Sequence, residues 1–289
     1  MANGITGIDH ALIGVRDLEA ARDRFRRLGF TVTPRGSHIG WGTANYCIMF
    51  PGDYLELLGI ADPGKFVNNL DKTLAERGEG LTGLALATRD AGAAAAALKQ
   101  NGLKPQDPSP LARNLELPGG TVRPEFTLVH LPPEVTPGLR LFLCQHRTPE
   151  LLRQPDWLLH PNGARAIASI AVVVERPEAL IAPYEALFGA GSTAMTDDTL
   201  AVFTGNAAIL FVTESDLEVL YPGIPLGSPP PAPWIAALNL VTKDPDRAAA
   251  GLSAAGVPFH RHSEDSLQVA PAEACGMLLS FSRFRGINL

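Results

Sequence analysis

Four stretches of this chain repeat one pattern, and that repetition constrains the fold more than any other feature. Residues 8–17 (IDHALIGVRD), 81–90 (LTGLALATRD), 168–176 (ASIAVVVER) and 235–244 (IAALNLVTKD) are apolar runs that close on a polar pair. An Ala/Leu-rich stretch follows each run and stops at a glycine: Gly29, Gly102, Gly189 and Gly256. The intervals from Asp17, Asp90, Arg176 and Asp244 to those glycines are 12, 12, 13 and 12 residues. Unrelated loops do not keep one spacing four times, so the repeat governs the fold. Function is to be sought where one copy departs from the others.

In the first copy, Ile8, His10 and Leu12 alternate with Ala11, Ile13 and Val15. This is a strand buried on both faces with one polar residue set into it. Leu18, Ala21, Phe25 and Leu28 then fall at helical spacing. Asp17 is placed to cap that helix and Gly29 to end it. Extended segments are expected at residues 30–33, 41–50 and 54–60, the last after a Pro-Gly-Asp turn. The unit is βαβββ. The second copy predicts a helix over 91–100 and strands over 126–130 and 139–144, while the proline-rich residues 104–118 mark its second strand poorly. The third predicts strands over 200–203 and 208–212, and the fourth ends in one over 277–281. Two connectors separate copies two, three and four. The second, residues 221–233, is stiffened by proline and should cross in extended form.

A single βαβββ unit leaves one apolar sheet face uncovered, and pairing two units buries it. The expected fold class is therefore α+β, with four βαβββ units paired into two cup-shaped mixed-sheet domains. Residues 1–160 form the first (units 1–62 and 81–146), and residues 161–289 the second (units 164–213 and 234–284).

Composition narrows the function classes. The chain has 289 residues, 46% of them apolar, and a net charge of −6. The core can be large, and the acidic balance argues against nucleic-acid binding. No apolar run approaches the roughly 18 residues of a membrane span. The start has no basic segment before an apolar run, so no signal peptide is expected. Cys47, Cys144 and Cys275 are scattered, with no CxxC. They read as buried thiols of a reducing compartment, and the cytoplasm is the expected location. No GxSxG, HExxH or P-loop occurs, so serine-nucleophile chemistry has no support.

Polar residues inside apolar strands are the remaining signal. His10 sits in a buried strand, and Glu56 is flanked by Leu55 and Leu57. Each is costly to bury without a partner. Thr43 and Asn45 alternate along the third strand and face one way, placed to hydrogen-bond a substrate. His38 lies in a glycine-bounded loop, where binding residues often lie. Trp41, Tyr46 and Tyr54 supply aromatic surface for a binding groove. His146 ends a strand facing the first connector. His160, in that connector, reads as structural.

The "DH…V.DL" opening, the "LGF" helix end and the "YLEL" strand resemble the vicinal oxygen chelate superfamily of glyoxalase I, extradiol dioxygenases and bleomycin-resistance proteins. Residues 37–46 with 54–56, followed by 160–164, are similar to its glyoxalase-like domain subgroup. The resemblance implies a cup with a divalent metal at its floor, with His10 and Glu56 at matching ligand positions. The corresponding residues of the other copies are Gly83, Ser169 and Ala237 for His10, and Phe142 for Glu56 in the second copy. Two of four ligands are thus in place, and His146, His38 or His130 can complete the set. An imidazole and a carboxylate suit zinc, nickel, manganese or iron. The implied activity is a metal-dependent lyase or isomerase acting on a substrate with vicinal oxygens, with Glu56 doubling as proton acceptor. The alternative is a metal-free binding protein that sequesters small molecules. An extradiol dioxygenase fits less well, because it needs a second histidine on a unit-opening strand. The expected partners are a small-molecule substrate and a second copy in a homodimer.

Overall fold

The computed structural model describes residues 2–283. Met1, and the expected end of the fourth unit at Phe284, lie outside the described residues. The first half contains strands β1 (Ile5–Gly14), β2 (Gly36–His38), β3 (Thr43–Met49), β4 (Tyr54–Ile60), β5 (Gly80–Thr88), β6 (Ser109–Leu117), β7 (Gly120–Val122), β8 (Glu125–His130) and β9 (Leu141–His146). Its helices are α1 (Leu18–Arg27), α2 (Leu70–Arg77) and α3 (Ala91–Gln100). The strands form one nine-stranded sheet in the order β2-β3-β4-β1-β5-β9-β8-β6-β7, and pairing of β2 with β6 closes it into a barrel-like cup.

The second half contains β10 (Ala164–Val173), β11 (Thr193–Thr196), β12 (Thr199–Phe203), β13 (Ala208–Val212), β14 (Trp234–Thr242), β15 (His260–Ser263), β16 (Ser266–Val269) and β17 (Leu278–Ser282). Its helices are α4 (Ile181–Phe188), α5 (Glu214–Leu220) and α6 (Pro245–Ala254). The sheet order is β11-β12-β13-β10-β14-β17-β16-β15. The fold is mixed α+β with two such sheets. Among the described residues, no helix is long and apolar enough to cross a membrane.

The repeat has a local physical basis. Asp17, Asp90 and Asp244 each accept a hydrogen bond from the backbone N–H three residues on. Such a cap stabilises a helix start by about 1 kcal/mol. The third copy has Arg176 instead and enters α4 through a 3₁₀ turn at Pro177–Leu180. That turn accounts for its longer interval. Gly29, Gly102, Gly189 and Gly256 end the helices with φ of 82°, 79°, 104° and 64°, where a side chain is strained.

The register shows how the copies are related. Across antiparallel β1 and β5, His10 lies opposite Ala85 and Leu12 opposite Gly83. Across β10 and β14, Ser169 lies opposite Asn239 and Ala171 opposite Ala237. Leu12 thus stands to Gly83 across β1 and β5 as Ala171 stands to Ala237 across β10 and β14.

One expected strand is displaced. Residues 30–33 form no strand, and the second strand of the first unit is β2. Phe30 is drawn into the core, 5.6 Å from the Phe25 ring and 5.9 Å from the Phe281 ring. His38 accordingly stands on a strand and not in a loop.

The outer faces of both sheets and helices α1, α3, α4 and α6 share one continuous hydrophobic core. The two inner faces differ. The first cup is lined by Leu12, Cys47, Tyr54, Phe126 and Phe142 around an open interior. The second is filled by its own chain: Leu217 of α5 and Tyr221, with Ile224, Leu226 and Ala232 of the proline connector, pack on Ala171, Val173, Ala237 and Leu278. The connector has no helix or strand over residues 221–233.

Candidate active site

The site begins with an irregularity in β1. Its ladder to β5 shifts register between Ile8 and His10, leaving Asp9 as an extra residue. Asp9 is buried, and its Oδ2 accepts from His10 Nδ1 at 2.7 Å and from His146 Nε2 at 2.9 Å. On the other side of the ring, His10 Nε2 lies 3.3 Å from Glu56 Oε2. Tyr54, beside His10 in the parallel β1–β4 ladder, stacks on the imidazole at 4.4 Å. Glu56 Oε1 accepts from Asn45 Nδ2 at 2.5 Å, and His38 Nε2 lies 3.7 Å from the same oxygen. His38 Nδ1 in turn meets Thr43 Oγ1 at 2.9 Å.

These contacts set the charges. Burial disfavours a charged His10, but the bonds to Asp9 and Glu56 outweigh it and raise the imidazole pKa to about 9. Burial likewise disfavours ionised Glu56, yet His10 beside it brings that carboxyl down to about 2. Asp9 is held below the usual carboxylate range by His146 and His10 against the same burial. His38 is the opposite case. Desolvation dominates and lowers it to about 4, so it is neutral at physiological pH.

A pocket opens above this network. His10, His38, Trp41, Thr43, Tyr54 and Glu56 all face it. Asn45 touches it through Glu56, and His146 joins the network through Asp9. Tyr46 does not contribute to the aromatic lining. It is one residue out of phase with Asn45 on β3, so it faces α1 and bonds Glu19 through its hydroxyl at 2.8 Å. His130 lines the cavity near its mouth, where Arg140 also stands. His160 is structural: Nδ1 accepts from Thr31 N at 3.1 Å and Nε2 donates to Met49 O at 2.9 Å.

Two residues of the site escape a reading of the sequence. Asp9 is invisible to it because a period-two pattern cannot foresee a bulge. Arg113 of β6 was detectable: Leu111, Arg113, Leu115 and Leu117 alternate with Ala112, Asn114 and Glu116, placing the guanidinium on the inner face.

Two donors bound to one ion at about 2.0–2.2 Å each lie roughly 3–3.5 Å apart. The spacing of His10 Nε2 and Glu56 Oε2 meets that requirement. Asp9 on Nδ1 supplies the outer carboxylate that orients a ligating histidine. The positions that the sequence spacing aligns with them give no donors: Gly83 has no side chain, and Phe142, beside Ala85 in the β5–β9 ladder, is apolar. His10 and Glu56 thus fit a divalent ion with open positions. Among the described residues, one three-donor group, Asp9, Cys144 and His146, gathers within 4.8 Å. Its Asp9 oxygen also accepts from His10 and His146, and burial pushes the Cys144 thiol above its ordinary range.

Residues 8–188 match the profile of a family described as the glyoxalase-like domain. Comparison with curated proteins gives no match. Among solved structures, a hypothetical protein from Staphylococcus aureus superposes with a TM-score of 0.68 at 12% identity, covering 95% of this chain and 98% of that one. A xylose isomerase-like TIM barrel/4-hydroxyphenylpyruvate dioxygenase fusion protein gives 0.60 at 14% identity, over 97% of this chain and 49% of its own. A mutant of 4-hydroxymandelate synthase from Streptomyces coelicolor gives 0.59 at 14%, over 96% and 92%. At such identities these structures share the fold.

Proposed function

Because this chain belongs to the glyoxalase-like domain family, within the vicinal oxygen chelate superfamily, we propose that its first cup is the active site of a divalent-metal-dependent lyase or isomerase. The substrate is a small molecule with vicinal oxygens. The observation that carries this reading is the His10–Glu56 pair, 3.3 Å apart and braced by Asp9. His10 and Glu56 would hold the divalent ion, which would supply Lewis acidity toward the substrate. Imidazole with carboxylate suits zinc, manganese, nickel or iron.

The surrounding residues divide the remaining work. Asn45 fixes the Glu56 carboxylate, and Tyr54 fixes the His10 ring by stacking. Trp41, beside His38 at 5.8 Å, covers one side of the cavity. Glu56, held at about 2, is ionised but only weakly basic; it anchors charge better than it takes a proton. His38, neutral, turns Nε2 toward Glu56 and holds Thr43 Oγ1 on Nδ1, so it orients these two groups at the cavity wall.

The test is divalent-ion uptake by wild-type protein and by His10→Ala. Wild type is expected to hold about one equivalent at the His10–Glu56 site. The variant is expected to lose it while keeping its circular dichroism spectrum. Wild type that takes up no ion, or a variant that keeps it, overturns the metal-dependent reading. In that case Phe142 and Gly83, which offer no donors, favour small-molecule binding without metal.

A further inference from the structure

Arg113 is a buried cation with an unfilled edge. It is 2% exposed, on the inner face of β6 opposite His38 in the strand pairing that closes the cup. One bond satisfies it, from Nη1 to Cys47 Sγ at 3.1 Å, and its guanidinium lies over the Phe126 ring at 5.8 Å. Nε and Nη2 have no partner. These two groups form one side of the guanidinium, with parallel N–H bonds spaced to grip both oxygens of a carboxylate. No carboxylate of the described residues lies within ion-pair distance of Arg113. A buried guanidinium left this way is costly, since each unmet donor forfeits its hydration.

Asp9 and Glu56 are both engaged by His10, and a second arginine without an acidic partner, Arg140, stands at the mouth of the cavity. The rest of the wall is apolar: Leu12, Leu58, Leu111, Phe126, Leu128 and Phe142. We infer that the first cup takes a small organic carboxylate with an apolar body, its carboxylate gripped by Nε and Nη2 of Arg113. This rests on the cup being a small-molecule site, but not on the metal. Arg113 thereby selects substrate by charge, while Arg140 draws anions to the entrance.

The probes are benzoate, phenylacetate and isovalerate, each paired with its neutral primary amide. Binding is measured by calorimetry on protein stripped of divalent ions and dialysed free of chelator. At least one carboxylate should bind saturably and about tenfold or more tighter than its amide, the advantage of a charge-assisted bidentate contact. In Arg113→Met, which keeps the length of the side chain, that ratio should fall to about one. Three results overturn the inference: no saturable binding of any carboxylate up to about 10 mM, equal binding of acid and amide, or a preference that survives in Arg113→Met. Should the variant fail to fold, the wild-type ratio alone decides. Carboxylate binding that appears only after metal is restored also overturns it, since the ion and not Arg113 would then hold the ligand. Metal uptake that persists while carboxylates fail to bind separates this failure from failure of the metal site.

Discussion

At the scale of single residues, the first cup is organised by the charge on His10. One imidazolium serves two carboxylates, and its pKa of about 9 and that of Glu56 near 2 are two sides of one interaction. Without metal this dictates a pH profile. Glu56 is depressed below its ordinary 4.5, so its contribution is complete above 4.5 and lost as pH falls through about 2. His10 is raised above its ordinary 6.5, so its contribution is complete below 6.5 and lost as pH rises through about 9. Denaturant titrations of metal-free protein should therefore show this pair's full contribution between pH 4.5 and 6.5, declining toward pH 9. His10→Gln should remove the alkaline decline; an identical slope in wild type and variant would count against the charged pair. His10, Glu56, Thr43 and Tyr54 were legible from sequence because each is polar or aromatic at an inward position of a well-marked strand. Asp9 was not, because only the register shift turns it inward.

At the scale of elements, the inner faces of the two sheets have been put to two uses. In the first half the floor is polar and the cup open. In the second, α5 and the proline connector occupy the equivalent space, and the position corresponding to His10 is Ser169. Asn239 donates to Ser169 Oγ at 3.0 Å and to Tyr221 Oη at 2.7 Å, so this position fastens the plug. Tyr221→Phe keeps the packing but removes one acceptor of Asn239. It should cost about 1–2 kcal/mol in denaturant unfolding, with first-cup metal uptake unchanged. Loss of that uptake would mean that the second cup is part of the site. The proline run announced an extended connector, but nothing in its sequence says what it covers. Helix α5 is seven residues long, with Leu217 alone of its residues fully buried, too little periodicity for a sequence to reveal.

At the scale of the whole molecule, the second half also braces the first. The side chain of Asn206 bonds both Ile8 N, at 2.7 Å, and Ile8 O, at 2.8 Å, at the start of the β1 bulge. Reciprocally, Asp53 Oδ1 accepts from Ile167 N at 3.0 Å, at the matching irregularity of β10. Each half thus fixes the bulge of the other, and the bulge of β1 is what presents Asp9 to His10. Asn206→Ala should lower stability by about 1–3 kcal/mol. It should also weaken metal uptake in the first cup, although Asn206 does not line the cavity; a stability loss with uptake intact would sever the link between halves. The recurring spacing made two mixed sheets readable, whereas this docking depends on loop side chains whose partners are some 114 to 198 positions away. The most direct test of the account is a crystal structure of the protein soaked with manganese or zinc, with the ion located by anomalous scattering. One peak is expected in the first cup, about 2.0–2.2 Å from His10 Nε2 and a Glu56 oxygen. A peak among Asp9, Cys144 and His146, or none in the first cup, would contradict it.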